Sequence, residues 1–294
     1  MCRHRTTARS ILVLLLLGVL TGSAEAAVPR LVFPVVAKAH YTDDFGAPRW
    51  QGSHEGNDIM ARKKSKVVAV EAGRVQKWTK SANAGCMLYL YGRSGTTYMY
   101  VHLNNDRTMR NDTRGNSTCR NGVAYAPGLR SGQRVSPGQL IGYVGDSGDA
   151  NGIAAHLHFE VHPRRRAVSP YRHLRRGRHL LYPRPPASVE TLWVKIRGRV
   201  VAKRLDVEPN LLRLRVSRVR LSNGWSVRPA RKVTLKVPSE ARVERSRGGG
   251  ETTMAAATVG ERATVWTTRV PEMFRYAYAR PGRLTATQIL LRGD

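Results

Sequence analysis

A mostly β fold arranged as two domains is what this sequence predicts, and three observations predict it. In Ala155-His156-Leu157-His158-Phe159-Glu160-Val161-His162, apolar and polar residues alternate strictly, the period of a half-buried strand. Short runs of β-branched and aromatic residues, separated by Gly, Pro and Asn, recur between Val67 and Gly145. Beyond residue 187 only strand-like segments follow. With 294 residues the chain is longer than one compact core usually needs.

The N-terminus predicts the compartment. Arg3, Arg5 and Arg9 precede an apolar run from Ile11 to Leu20, and Ala24-Glu25-Ala26 supplies a small-residue cleavage site. This reads as a secretory signal peptide over residues 1–26. The run is too short to span a bilayer and no later segment is longer, so no transmembrane anchor is expected. Cys2 precedes the run, which does not support lipidation at the cleavage site. The expected location is secreted or in the cell envelope. The formal net charge of +30, from 50 Lys and Arg against 20 Asp and Glu, favours polyanionic partners: nucleic acid, anionic lipid or acidic wall polymer. Export removes nucleic acid as an expected partner. It also makes Cys86 and Cys119, the two cysteines left after cleavage, a candidate disulfide, with two free thiols as the alternative.

From Leu31 to Arg49 the chain is punctuated by Pro and Gly and reads as ordered loop. In His54-Glu55-Gly56-Asn57-Asp58, Gly56 and Asn57 argue against a helix, so His54 and Asp58 are expected to meet across a turn. Strands are predicted at Val67–Val70, Gly73–Trp78, Met87–Tyr91 and Thr96–Leu103, the last ending beside a histidine. Asn104 to Gly122 is polar and reads as an exposed loop tied down by Cys119. Val135 to Gly145 is a turn and strand, and Asp146 to Ala154 a Gly-rich loop delivering the chain to His156. The arginines and prolines of residues 164–186 predict a stiff linker, with His173 and His179 solvated among them. The domains expected are thus 30–163 and 187–294. In the second, strands are predicted near Thr191–Lys203, Leu211–Leu221, Lys232–Lys236, Ala241–Arg245, Ala263–Thr268 and Leu284–Leu291. No histidine follows His179 and no cysteine follows Cys119, so this region reads as binding or structural.

His54, Asp58, His102, His156 and His158 each sit at a strand end or turn beside an apolar strand. His54 and Asp58 can supply a nitrogen and an oxygen, and one of His156 and His158 a second nitrogen. Three protein ligands plus water is the pattern of a catalytic zinc site, and this donor set suits zinc better than magnesium or calcium. The remaining histidines can then move protons or bind a developing oxyanion. Glu160, on the same face, either supports a ligand from behind or makes a surface ion pair. His40 and His162 are expected to have ordinary structural roles.

At these residues the chain resembles the lysostaphin-like zinc peptidases, the LytM or M23 family. The resemblance runs from about Phe33 to Pro163, through Phe45-Gly46-Ala47-Pro48-Arg49, His54-Glu55-Gly56-Asn57-Asp58-Ile59, Tyr100-Val101-His102-Leu103, Ile141-Gly142-Tyr143-Val144-Gly145 and His156-Leu157-His158-Phe159-Glu160. It implies an antiparallel β-domain, zinc held by His54, Asp58 and His158, catalytic roles for His102 and His156, and peptidoglycan peptide as substrate. The long loop after Leu103 and the basic Arg62-Lys63-Lys64-Ser65-Lys66 depart from the usual pattern, but neither removes a ligand. Members without activity usually lack one of the five residues, and this chain keeps all of them. The C-terminal strands resemble a small OB-like barrel, with an opening Gly198-Arg199-Val200-Val201-Ala202, a mid-chain Gly260-Glu261-Arg262-Ala263-Thr264-Val265 and a closing Thr285-Ala286-Thr287-Gln288-Ile289; its basic residues would hold acidic wall polymers or lipid headgroups. The expected protein is therefore an exported zinc metalloendopeptidase of peptidoglycan. The alternative is a catalytically silent envelope scaffold that binds wall and activates another hydrolase.

Overall fold

The computed structural model describes residues 28–50, 52–113, 115–185, 192–246, 250–268 and 284–293; the expected signal peptide lies outside them. The N-terminal half is built on an antiparallel sheet of seven strands. Its main members are β1 (Asn57–Ala61), β3 (Gly73–Trp78), β4 (Cys86–Gly92), β5 (Thr96–Leu103) and β7 (His156–Pro163), in the order β3-β4-β5-β7-β1. A second sheet packs over it, with β2 (Lys66–Val68) between Val35–Val36 and β6 (Leu140–Tyr143).

The alternation in β7 does what its period requires. Leu157, Phe159 and Val161 are fully buried in a core shared with Ile59, Leu88 and Tyr100. Each such side chain contributes roughly 1.5–3 kcal/mol. His156, His158, Glu160 and His162 are left on the opposite face. Strand β7 pairs with β1 on one side, placing His158 opposite Asp58, and with β5 on the other, placing His158 opposite Val101, next to His102. This central register assembles the site.

Two loop expectations are corrected, and one strand forms that the sequence did not mark. His54 and Asp58 meet as expected, Nε2 to Oδ1 3.2 Å across a bend at Gly56, but Asp58 itself lies in strand β1, because β1 gains a full ladder with β7 that outweighs the poor strand propensity of Asn57 and Asp58. The start of the long polar loop is not exposed: Asn104, Asn105 and Asp106 are completely buried. Asp106 accepts the backbone N–H groups of Asp112 and Thr113 at 2.8 Å, and Asn105 Nδ2 donates to the carbonyl of Thr113 at 2.9 Å, so the loop folds on its own side chains. Within 164–186 the chain forms a short helix, α1 (Tyr171–Arg176), and buries Leu174, Leu180, Leu181 and Tyr182. His179 stacks on Phe33 with ring centroids 4.2 Å apart instead of standing in solvent. The Cys86–Cys119 disulfide is formed.

The C-terminal half is a small barrel. Strand β8 (Val194–Arg204) pairs antiparallel with β9 (Asn210–Leu221), and β9 with β10 (Lys232–Val237). Further along lie β11 (Arg242–Arg245), β12 (Arg262–Thr267) and β13 (Leu284–Arg292). Strand β13 runs parallel to β10 and antiparallel to β12, and β12 returns to β8, closing a ring of five; β11 adds to β13 in parallel. Val194, Ile196, Leu212, Leu214 and Ile289 fill the interior. That core continues through Leu180, Leu181 and Tyr182 to Val32, Val36 and Val68, joining the two halves. The basic 62–66 segment serves this packing as well. Lys66 Nζ lies 5.8 Å from the ring centroid of Tyr143 and 5.7 Å from that of Trp225, both rings packing against the N-terminal core. Among the described residues no helix is long and apolar enough to cross a membrane.

Candidate active site

The five residues singled out in the sequence converge at one end of the β1-β7-β5 register, in a groove of about 670 Å³ that they line together with Trp50. Three of their atoms form a tight triangle. His158 Nδ1 lies 2.9 Å from His54 Nε2 and 3.0 Å from Asp58 Oδ1, and His54 Nε2 lies 3.2 Å from the same oxygen.

The protons of both rings are committed elsewhere. His54 Nδ1–H donates to the carbonyl of Asp44 at 2.8 Å, and His158 Nε2–H donates to Glu160 Oε1 at 3.0 Å. A carbonyl and a carboxylate can only accept, so in the neutral rings the nitrogens facing each other carry lone pairs. Two lone pairs and a carboxylate oxygen within about 3 Å repel unless a cation or proton joins them. A tetrahedral zinc with bonds of about 2.0–2.1 Å needs donor–donor edges of about 3.3 Å, close to this triangle, and tolerates one open position. Among the described residues, His54, Asp58 and His158 form a group whose ligand atoms all lie within 4.8 Å of one another. The residues fit the ion.

The electrostatics agree. Burial would lower the His158 imidazole, yet its hydrogen bonds to Asp58 and Glu160 carry it up to about 9. Burial would raise Asp58, but hydrogen bonds from His158 and His54 hold it far below the usual carboxylate range. Glu160, against the same penalty, is held at about 2 by His158 and His162. It fixes the His158 ring from behind, and His162 Nε2 caps its other oxygen at 2.5 Å. Gly56 makes room for this arrangement, since a Cβ there would lie 2.8 Å from His158 Nε2.

His156 and His102 flank the triangle, their rings 5.1 Å apart and edge to face. His156 Nδ1–H donates to the carbonyl of Ala154 at 2.9 Å, and its Nε2 faces inward, 3.8 Å from Asp58 Oδ1. His102 Nδ1–H donates to the carbonyl of Ser147 at 2.8 Å, leaving Nε2 3.6 Å from Asp149 Oδ1. Burial, followed by the charges of His156 and His158, lowers His102 to about 4. At neutral pH its Nε2 therefore presents a lone pair, and His102 becomes a donor only after taking a proton. Its backbone is left-handed, with φ of 57°, a conformation that costs a non-glycine residue on the order of 1 kcal/mol.

The surroundings hold that conformation. Ser147 Oγ donates to the carbonyl of Leu103 at 2.6 Å and accepts the N–H of Cys86 at 2.9 Å. Asp146, next in the chain, takes Lys63 Nζ at 2.9 Å, and the same ammonium reaches Asp106 at 2.5 Å. Lys63 thus ties the start of the 104–122 loop to the loop that delivers the chain to His156. Sequence reading missed it, as it missed Arg49, whose Nη2 donates to Asp58 Oδ2 at 3.0 Å. The position of Arg49 in the Phe45–Arg49 motif was the one available signal.

Residues 121–170 match peptidase family M23; this stretch holds His156 and His158, and the other three site residues lie outside it. The L-Ala--D-Glu endopeptidase of Bacillus subtilis (strain 168) is 27% identical over 154 residues, which are 48% of this chain and 41% of that protein. The chain therefore spans less than half the length of this curated relative. Similar solved structures include LytM from Ruminococcus gnavus, 27% identical with a TM-score of 0.40, covering 50% of this chain and 59% of that one. The catalytic domain of lysostaphin from Staphylococcus simulans is 21% identical with a TM-score of 0.36, covering 47% and 92%.

Proposed function

We propose that this chain, which belongs to peptidase family M23, is an exported zinc-dependent endopeptidase that hydrolyses peptide cross-links of bacterial peptidoglycan. The observation that carries this reading is the triangle of His54, Asp58 and His158, two imidazole nitrogens and a carboxylate oxygen within 3.2 Å of one another, which repel unless a proton or a metal cation joins them. These three residues would hold the metal. Bound there, zinc would supply a Lewis acid for the scissile carbonyl and acidify a water.

The chain's own residues do the rest. His156 Nε2, aimed inward with its other nitrogen fixed on Ala154, takes the proton of the attacking water. His102, neutral at rest, takes at Nε2 the second proton of that water, still carried by the attacked oxygen, and passes it to the leaving amine, to which His156 returns the first; Asp149 lies beside the His102 imidazolium. The convergence of all five residues favours this reading over the silent scaffold. Residues 30–163 would form the peptidase domain, and the barrel, read as an OB-like module, would bind envelope polymer and hold the enzyme at its substrate. Mass spectrometry of purified wall digested by the exported protein, with and without chelator, tests the proposal. New peptide termini that vanish with chelator and return with zinc are expected. Intact wall under all conditions would refute it.

A further inference from the structure

The outer surface of the barrel carries charge in an arrangement that its own stability opposes. The register of β8 and β9 sets Lys195 directly opposite Arg220, Arg197 opposite Arg218 and Arg199 opposite Arg215. Like charges placed opposite one another weaken a sheet. Other basic residues of the barrel are neutralised: Arg204 by Asp206, Arg242 by Glu244 and Arg245 by Glu261. Among the described residues, none of Lys195, Arg197, Arg218 and Arg220 has such an ion pair. Together with Gly224 and Ser226 these four line a groove of about 300 Å³. A second hollow, of about 740 Å³, shares Arg197 and extends the basic surface past Arg215 to Arg292. The crowding is felt at Lys195, whose ammonium is lowered first by burial and then by the charges of Arg197, Arg220 and Arg292.

We infer that this face binds a linear, phosphodiester-linked polyol polymer, with successive phosphates seated between the opposed cations of β8 and β9. Outward residues two apart on β8 are roughly 6.6 Å apart and neighbouring strands about 4.8 Å. The face therefore offers a row of opposed cation pairs along an extended chain, interrupted on β9 by a bulge that sets Arg215 three residues from Arg218. The guanidinium fork matches a phosphate through two parallel hydrogen bonds. Nucleic acid is the competing polyanion: Trp266, beside the groove, is covered by Lys195 Nζ 4.6 Å from its ring centroid, and among the described residues the half-buried Trp193 is the one ring near these strands left for a base, fewer than a run of stacked bases needs. A bilayer would ask for apolar side chains to insert. Leu205 and Val259, the exposed large apolar residues described in the barrel, do not line either hollow. The inference deepens the binding role proposed for the barrel and rests on that role, not on the peptidase chemistry.

The test uses the full exported protein and fluorescently labelled poly(glycerol phosphate), with binding read by anisotropy. Four seated cations give a slope of about −3 in log K against log salt, a loss of about 50-fold between about 50 and 200 mM salt. Arg197→Glu should weaken binding at least about tenfold and, by turning the pair with Arg218 attractive, raise the melting temperature by about 1–3 °C. Arg218→Gln should weaken it less and reduce the slope by about 0.7. Cleavage of soluble cross-linked peptide by Arg197→Glu should match the parent protein. A protein that binds polymer but cleaves no peptide would end the peptidase reading and leave this one standing. Several results would overturn the inference: no binding at low salt, equal binding by Arg197→Glu, melting temperatures lowered by both substitutions, or tighter binding to single-stranded DNA or phosphatidylglycerol vesicles at matched charge.

Discussion

Replacing Lys63 by Met should be among the most damaging changes outside the five site residues. The ammonium is bonded to Asp106 and Asp146, whose side chains are 0% and 3% exposed. Asp106 keeps two backbone N–H donors without it, but Oδ1 of Asp146 has no partner, so this carboxylate would be left buried and unpaired. Breaking one side of a buried ion pair costs about 3–5 kcal/mol. For a chain of this size that lowers the melting temperature by about 10 °C. The loss should also reach the chemistry, because Asp146 leads into Ser147, whose carbonyl orients His102. Thermal and denaturant unfolding of Lys63→Met should show the shift, and the triple variant Lys63→Met/Asp106→Asn/Asp146→Asn should recover most of it by removing the stranded charges. A single variant within about 1 kcal/mol of the parent, or a triple variant no better than the single, would refute the reasoning.

Reducing the Cys86–Cys119 bridge, which spans a sequence separation of 33, should cost about 3.7 kcal/mol on the chain-entropy account, so an unchanged melting temperature in reductant would contradict it. Gly56→Ala, whose Cβ would lie 2.7 Å from the Phe159 carbonyl oxygen and 2.8 Å from His158 Nε2, should shift β7 and His158 together and weaken zinc affinity about 10–100-fold with every ligand still present; calorimetric titration showing parent-like affinity would count against the contact. His179 is lowered to about 4 by burial and then by Arg231. Between that value and an unfolded pKa of about 6.5 the unfolded chain binds more protons, so stability is lost as pH falls through this window. After discounting for partial exposure the loss is about 1–2 kcal/mol, and His179→Phe, keeping the ring against Phe33, should flatten that acid limb. Equal acid destabilisation of both proteins would show that another group is responsible.

The strands were readable wherever a side-chain period or a β-branched run marked them: Gly73–Trp78 forms as expected, and the alternation around His158 separates core from site face. Strand β1 was not, because its ladder partner lies about a hundred positions away and Asn57 and Asp58 look like turn residues in isolation. The Lys63–Asp106–Asp146 cluster was invisible for the same reason, as three distant charges with no shared motif. In residues 164–186 the arginines obscured Leu180-Leu181-Tyr182, an apolar run that a core was waiting for. The five candidate residues were picked out through chemistry and motif order, and the fold brings them to one groove. Their tautomers, and hence the resting state of His102, depend on the carbonyls of Ser147, Ala154 and Asp44, which no side-chain pattern encodes.

The central claim divides the five residues into three that hold zinc and two that move protons. Its most direct test measures zinc content and wall cleavage on the same samples of the parent protein, His158→Ala, His156→Ala and His102→Ala. The account predicts one zinc per chain in the parent, loss of both metal and cleavage in His158→Ala, and full zinc with cleavage reduced about 10²–10⁴-fold in the other two. Full zinc in His158→Ala, or near-parental cleavage by zinc-loaded His156→Ala or His102→Ala, would contradict it.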